Sequence, residues 1–162
     1  MNERDMIARL RDLRRRREER AQEEVTRRSA AANQAAWDVQ NAADAVTEHL
    51  QRTADAEDAA FGALVGQPVN AASLLRLQGR FEVAARKTGQ LRAGEKMAGV
   101  AAQRRKIELS EARNDHRASM KAVTKLDRLS EQLARRNARR RQAFAELAEE
   151  EERGQARLST ER

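Results

Sequence analysis

Apolar and small residues recur every three and four positions along most of the chain, the spacing of one face of an α-helix. From Leu74 a seven-residue ladder passes through Phe81, Thr88, Glu95, Ala102, Leu109, His116, Val123, Ser130 and Asn137 to Phe144. A companion ladder runs from Leu77 through Ala84, Leu91, Ala98, Arg105, Ala112, Ser119, Leu126, Leu133 and Arg140 to Leu147. Together they form a seam far longer than the three or four heptads that identify a coiled coil. The first part of the chain has a strict ladder at Val25, Ala32, Val39, Val46, Thr53 and Ala60. Beside it runs an alanine-rich one at Ala21, Arg28, Ala35, Ala42, His49, Ala56 and Ala63. Upstream, Met6, Ile7, Leu10 and Leu13 make a stripe slightly out of phase, which predicts a stutter there.

One segment interrupts the pattern. Gly62, Gly66, Pro68 and Asn70 fall close together, whereas residues 3–61 contain neither Gly nor Pro and residues 71–153 contain no Pro. Proline disfavours helix at Gln67, and Asn70 or Ser73 is placed to cap a new helix. The fold class is therefore all-α: a long antiparallel two-helix coiled-coil hairpin, read as one elongated unit over 1–162. Helix 1 spans about 3–61, the loop about 62–70, helix 2 about 71–153, and a frayed tail 154–162. Folding about Pro68 sets residue i opposite about residue 138 − i, so the second helix overhangs the first. Acids dominate 38–60 (Asp38, Asp44, Glu48, Asp55, Glu57, Asp58) and bases dominate 78–100 (Arg80, Arg86, Lys87, Arg92, Lys96). That complementarity favours a zipper between the two arms. Gly79, Gly89, Gly94 and Gly99 weaken helix 2 and predict local fraying.

Composition narrows the function. Charged residues are 36% and aromatic residues 2% of the 162, and Leu, Ile, Val and Phe are too few for an ordinary globular core. There is a single Pro, which argues against disorder as the explanation. No Cys is present, so disulfide, thiolate-metal and cysteine-nucleophile chemistry are excluded. No apolar run is long enough for a membrane span, and the charged MNERDMIARL start does not read as a signal peptide; a cytoplasmic protein is expected. The net charge of +7 suits an acidic protein, nucleic acid or anionic membrane as partner.

Little in the sequence suggests catalysis, and no enzyme activity, cofactor or metal is expected. No phosphate-binding glycine loop occurs. His49 and His116 fall on the seam ladders, where isolated polar residues fix register. The basic clusters carry the functional signal: Arg14, Arg15, Arg16 and Arg17 form one run. Arg135, Arg136, Arg139, Arg140 and Arg141 form another with no acid among them. The acidic run Glu149–Glu152 follows and would repel phosphate, which favours a protein contact over nucleic acid. Trp37, Phe61 and Phe81 are either seam residues or aromatic anchors for a partner.

The opening IARLRDLRRRREERAQEEV, leading into a long alanine-rich helix in a basic chain of this size, resembles the stalk proteins of type III secretion systems. These are the SctO/YscO family and its flagellar relative FliJ. The resemblance implies an antiparallel two-helix coiled coil without enzyme activity. Such a stalk sits in the pore of the hexameric secretion ATPase, contacts the export-gate protein and, in some members, handles chaperones of exported substrates. It implies an export-gate contact at Val46, Leu50, Phe61, Phe81, Ala84 and Leu91. It also implies an ATPase contact through the two arginine clusters, at the cytoplasmic face of a membrane-embedded export apparatus. The aromatic residues the flagellar relative uses in the first arm are replaced here by Thr53 and Glu57. The alternative function is a basic helical hairpin that binds nucleic acid.

Overall fold

With no Gly or Pro before Gly62, the first part of the chain winds into one helix, α1, over Glu3–Leu64. A second helix, α2, covers Ala71–Thr160. The computed structural model describes the backbone of residues 3–160 and the side chains of residues 5–154. The two helices form a long antiparallel hairpin in which the second is the longer. Both run past the expected ends at 61 and 153; the last two residues of the expected tail lie outside the described residues.

The loop is built as its sequence suggests. Gly66 takes a left-handed conformation (φ 77°), and Gln67 N–H donates to the Leu64 carbonyl at 3.2 Å, closing α1. Pro68 follows and prevents continuation. Asn70 caps α2, its Oδ1 accepting from the Ser73 N–H at 2.8 Å.

Contacts divide the hairpin into two units. The first, Glu24–Arg113, holds the loop. Its buried side chains are Ala32, Ala35, Val46, Ala102 and Ala112, all on the expected ladders. The interhelical pairs here include Arg28–Glu108, His49–Ala84 and Phe61–Phe81, close to the 138 − i register. Near the loop the seam changes phase. Ala56 and Ala63 are exposed, and Glu57 and Leu64 take their places, so that His49, Thr53, Glu57 and Ala60 follow a 3-4-4-3 rhythm with Val46. That rhythm is a stutter, and it lies beside the loop. Leu74 and Arg105 are likewise exposed; Glu108 turns inward instead. Helix 2 continues without a break through Gly79, Gly89, Gly94 and Gly99.

The expected charge zipper does not close. Among the described residues, none of the six acids of 38–60 comes within ion-pairing distance of the five bases of 78–100. Asp38, Asp44 and Asp55 instead accept from Gln34, Gln40 and Gln51 one turn earlier, and Glu48 meets Arg52 at 3.8 Å. The bias between the arms exists, but most of these charges stand on outer positions of their helices.

The second unit joins the residues up to Glu23 with those from Asn114 on. Its half-buried seam residues are Ile7, Arg11, Arg14, Glu18 and Ala21 on α1. On α2 they include His116, Ser119, Val123, Leu126, Ser130 and Leu133. The α1 positions keep a regular 3-4 rhythm, so no stutter occurs there. The expected upstream stripe therefore splits: Ile7 joins the seam, whereas Met6, Leu10 and Leu13 stay exposed. Arg140, Phe144 and Leu147 are exposed too.

Candidate functional site

Alanine at the seam brings two helices close without covering much area, so the hairpin leaves its larger side chains near the surface. In the loop-bearing unit the expected export-gate residues fall into two sets. Val46 is buried in the seam at 8% exposure, and Ala84 and Leu91 are half-buried there. Leu50 and Phe61 face outward, at 40% and 55%. Phe61 stacks on the half-buried Phe81, ring centres 5.9 Å apart and planes inclined by 30°. Phe81 also lines a shallow groove with His49, Thr53, Ala60, Leu77 and Ala84. The structure thus groups Phe61 and Phe81 into one aromatic surface. Trp37, 68% exposed, stands apart from the seam.

The two arginine clusters belong to the other unit. Arg14 is half-buried on the seam, and Arg15 Nη2 lies 3.8 Å from Asp127 Oδ1 across it. Arg11 Nε is 3.9 Å from the same oxygen, without a hydrogen bond at either buried atom. The Arg16 carbonyl accepts from Arg20 Nε at 3.1 Å, and Arg17 is exposed. On α2, Arg135 Nη2 reaches Glu131 at 4.0 Å, and Arg141 Nε donates to the Asn137 carbonyl at 3.4 Å. Arg136, Arg139 and Arg140 point into solvent.

Sequence reasoning missed the best-organised polar group. Arg28 donates from Nε to Glu24 Oε1 and from Nη1 across the seam to Glu108 Oε2, both at 2.6 Å. Arg105 Nη1 donates to the same Glu108 oxygen at 2.8 Å, Arg104 Nε lies 3.4 Å from Oε1, and Arg27 pairs with Glu24. The hydrogen bond from Arg28 holds the Glu24 carboxyl below its ordinary value. That from Arg105, with Arg28 behind it, does the same to Glu108. Arg28 is raised in turn, chiefly by its bond to Glu24. The readable signal was Arg28 on a seam ladder with Glu24 one turn before it.

Both histidines serve the seam. His49 Nε2 lies 3.2 Å from the Ala84 carbonyl, and His116 Nε2 lies 2.8 Å from Glu18 Oε1. Among the described residues, no group of three His, Asp or Glu side chains is placed to hold a metal ion. No helix there is long and apolar enough to cross a membrane. Compared with family models, characterised proteins and solved structures, the chain matches none.

Proposed function

We propose that this chain is a non-enzymatic central stalk of a bacterial type III secretion ATPase complex, of the kind formed by SctO/YscO proteins and flagellar FliJ. In this reading it stands at the cytoplasmic face of the export apparatus. It links the ATPase hexamer to the export gate and receives chaperones of exported substrates. The observation that supports the reading is the two-helix hairpin whose longer second helix carries Arg136, Arg139 and Arg140 exposed and without acidic partners. A cationic segment so placed meets the carboxylates of an ATPase, and the Phe61–Phe81 surface offers a separate contact for the gate.

Binding to a purified type III secretion ATPase and to its export-gate protein tests this directly. Exposed charges contribute about 0.2–1 kcal/mol each, so single Arg→Ala changes are nearly silent. Changing Arg135, Arg136, Arg139, Arg140 and Arg141 together to Glu removes ATPase binding and spares the gate. Leu50→Asp with Phe61→Asp does the converse, and both variants keep wild-type helicity because these side chains are exposed. Absence of ATPase binding by the wild type, together with tight binding to random duplex DNA that falls steeply with salt, would overturn the stalk in favour of a nucleic-acid-binding hairpin.

A further inference from the structure

In the unit that joins the two ends of the chain, charge and hydrocarbon are sorted by side. On α1 the exposed stripe Met6, Leu10, Leu13, Arg17 and Arg20 sits one position before the seam residues Ile7, Arg11, Arg14, Glu18 and Ala21. On α2 the stripe Lys125, Leu129, Gln132 and Arg136 likewise precedes half-buried seam positions, and Arg139 continues it by one turn. Arg15 and Asp127, each one position after a seam residue, meet across the pair at 3.8 Å. In an antiparallel pair the two preceding stripes therefore share the opposite side. That side carries four aliphatic side chains, Met6, Leu10, Leu13 and Leu129, each between 42% and 55% exposed. Between Met6 and Arg20 on α1 and between Lys125 and Arg139 on α2 it carries Arg17, Arg20, Lys125, Arg136 and Arg139 and no acid; Asp115, one position before His116, marks where this face ends along α2. Of the acids in the same stretch, Glu18 lies in the seam itself, and Asp12, Glu19, Asp127 and Glu131 each follow a seam position and stand on the other side.

We propose that this face docks on the surface of an anionic lipid bilayer. The inference goes beyond the stalk reading and does not rest on it. Aliphatic side chains ringed by cations, with carboxylates turned away, match the boundary between acidic headgroups and acyl chains, where arginine stems lie along the hydrocarbon and their heads stay with phosphate. A partner helix would instead seat its anchors in a groove. The groove of this unit lies on the other side, between Ile7, Ala8, Arg11, Ser130, Leu133 and Ala134. The docking face has protruding aliphatics and no aromatic anchor.

Flotation with phosphatidylglycerol–phosphatidylcholine vesicles, against phosphatidylcholine alone, tests the full-length chain. The wild type binds the anionic vesicles and not the neutral ones. Reversing Arg17, Arg20 and Lys125 to Glu weakens binding about tenfold or more, since juxtamembrane cations act individually. Reversing Arg117, Lys121 and Arg128, three exposed bases outside this face, changes it much less. Met6, Leu10, Leu13 and Leu129 changed to Gln also weaken it; circular dichroism confirms that helix content is retained. Because the chain has no cysteine, a polarity-sensitive dye on Leu13→Cys reports insertion directly, and the same dye on Asp12→Cys stays in water. Equal loss in the two charge-reversed variants, full binding by the Gln variant, or a dye response at both sites overturns the proposal. So does binding to an acidic polypeptide with none to vesicles, which would assign the face to a protein.

Discussion

Glu108 shows how one side chain ties two thinly packed helices together. It accepts from Arg28 across the seam at 2.6 Å and from Arg105 on its own helix at 2.8 Å, with its side chain only 20% exposed. Because Glu24 and Glu108 both titrate below their ordinary value of 4.5, the folded state favours their charged forms. Their stabilisation is fully present above that ordinary value and disappears as pH falls through the lower, folded values. The melting temperature is therefore expected to drop on acidification below about pH 4.5, the reference value of both groups. In Glu24→Gln/Glu108→Gln the neutral plateau is lower and the acid drop shallower. A double variant whose melting follows the wild type at every pH would show that the cluster adds no stability. Half of this cluster is legible in the sequence, since Arg28 stands on a seam ladder with Glu24 one turn before it. Glu108 is not, because the strict ladder assigns Arg105 to the seam, and only three-dimensional packing shows which of the two turns inward.

At the level of the helices, the four glycines of α2 offer a clean test. A Cβ at Gly79, Gly89, Gly94 or Gly99 meets nothing within 4 Å, and all four have helical backbones. Each Gly→Ala change is expected to stabilise by roughly 0.5–1 kcal/mol through lower unfolded-state entropy, read as a higher urea midpoint. Gly66→Ala does the opposite, since φ 77° strains any side chain there. Helix number, direction and the Asn70 cap follow from Gly and Pro placement, which acts locally. Phase along the seam was harder. Met6, Leu10 and Leu13 look like core by composition, yet the partner helix meets the neighbouring positions Ile7, Arg11 and Arg14. Hydrophobicity alone cannot fix a phase when polar residues occupy so much of the interface. The stutter likewise moved to the loop, where the seam shifts from Ala56 and Ala63 to Glu57 and Leu64.

At the scale of the molecule, the antiparallel register predicts that Ala35 and Ala102, both buried, face each other. Cysteines at these two positions are expected to oxidise to a disulfide within one chain, seen as a faster-migrating monomer without reductant. A bridge found only between chains would mean a swapped or parallel dimer. The candidate surfaces were visible in sequence as an arginine content and a few aromatics. Which members face outward depends on the seam, so Leu50 and Phe61 are accessible and Val46 is not. The seam has a thermal consequence as well. Among the described residues its fully buried side chains are four alanines and one valine and its larger ones are only half-buried, so unfolding uncovers little hydrocarbon beside a great deal of helical backbone. Hydration of hydrocarbon raises the heat capacity and hydration of peptide groups lowers it, so the change falls well under the usual ~12–15 cal/mol/K per residue. With so little curvature, the free energy of this hairpin declines almost in a straight line with temperature, and cooling brings no return toward the unfolded chain.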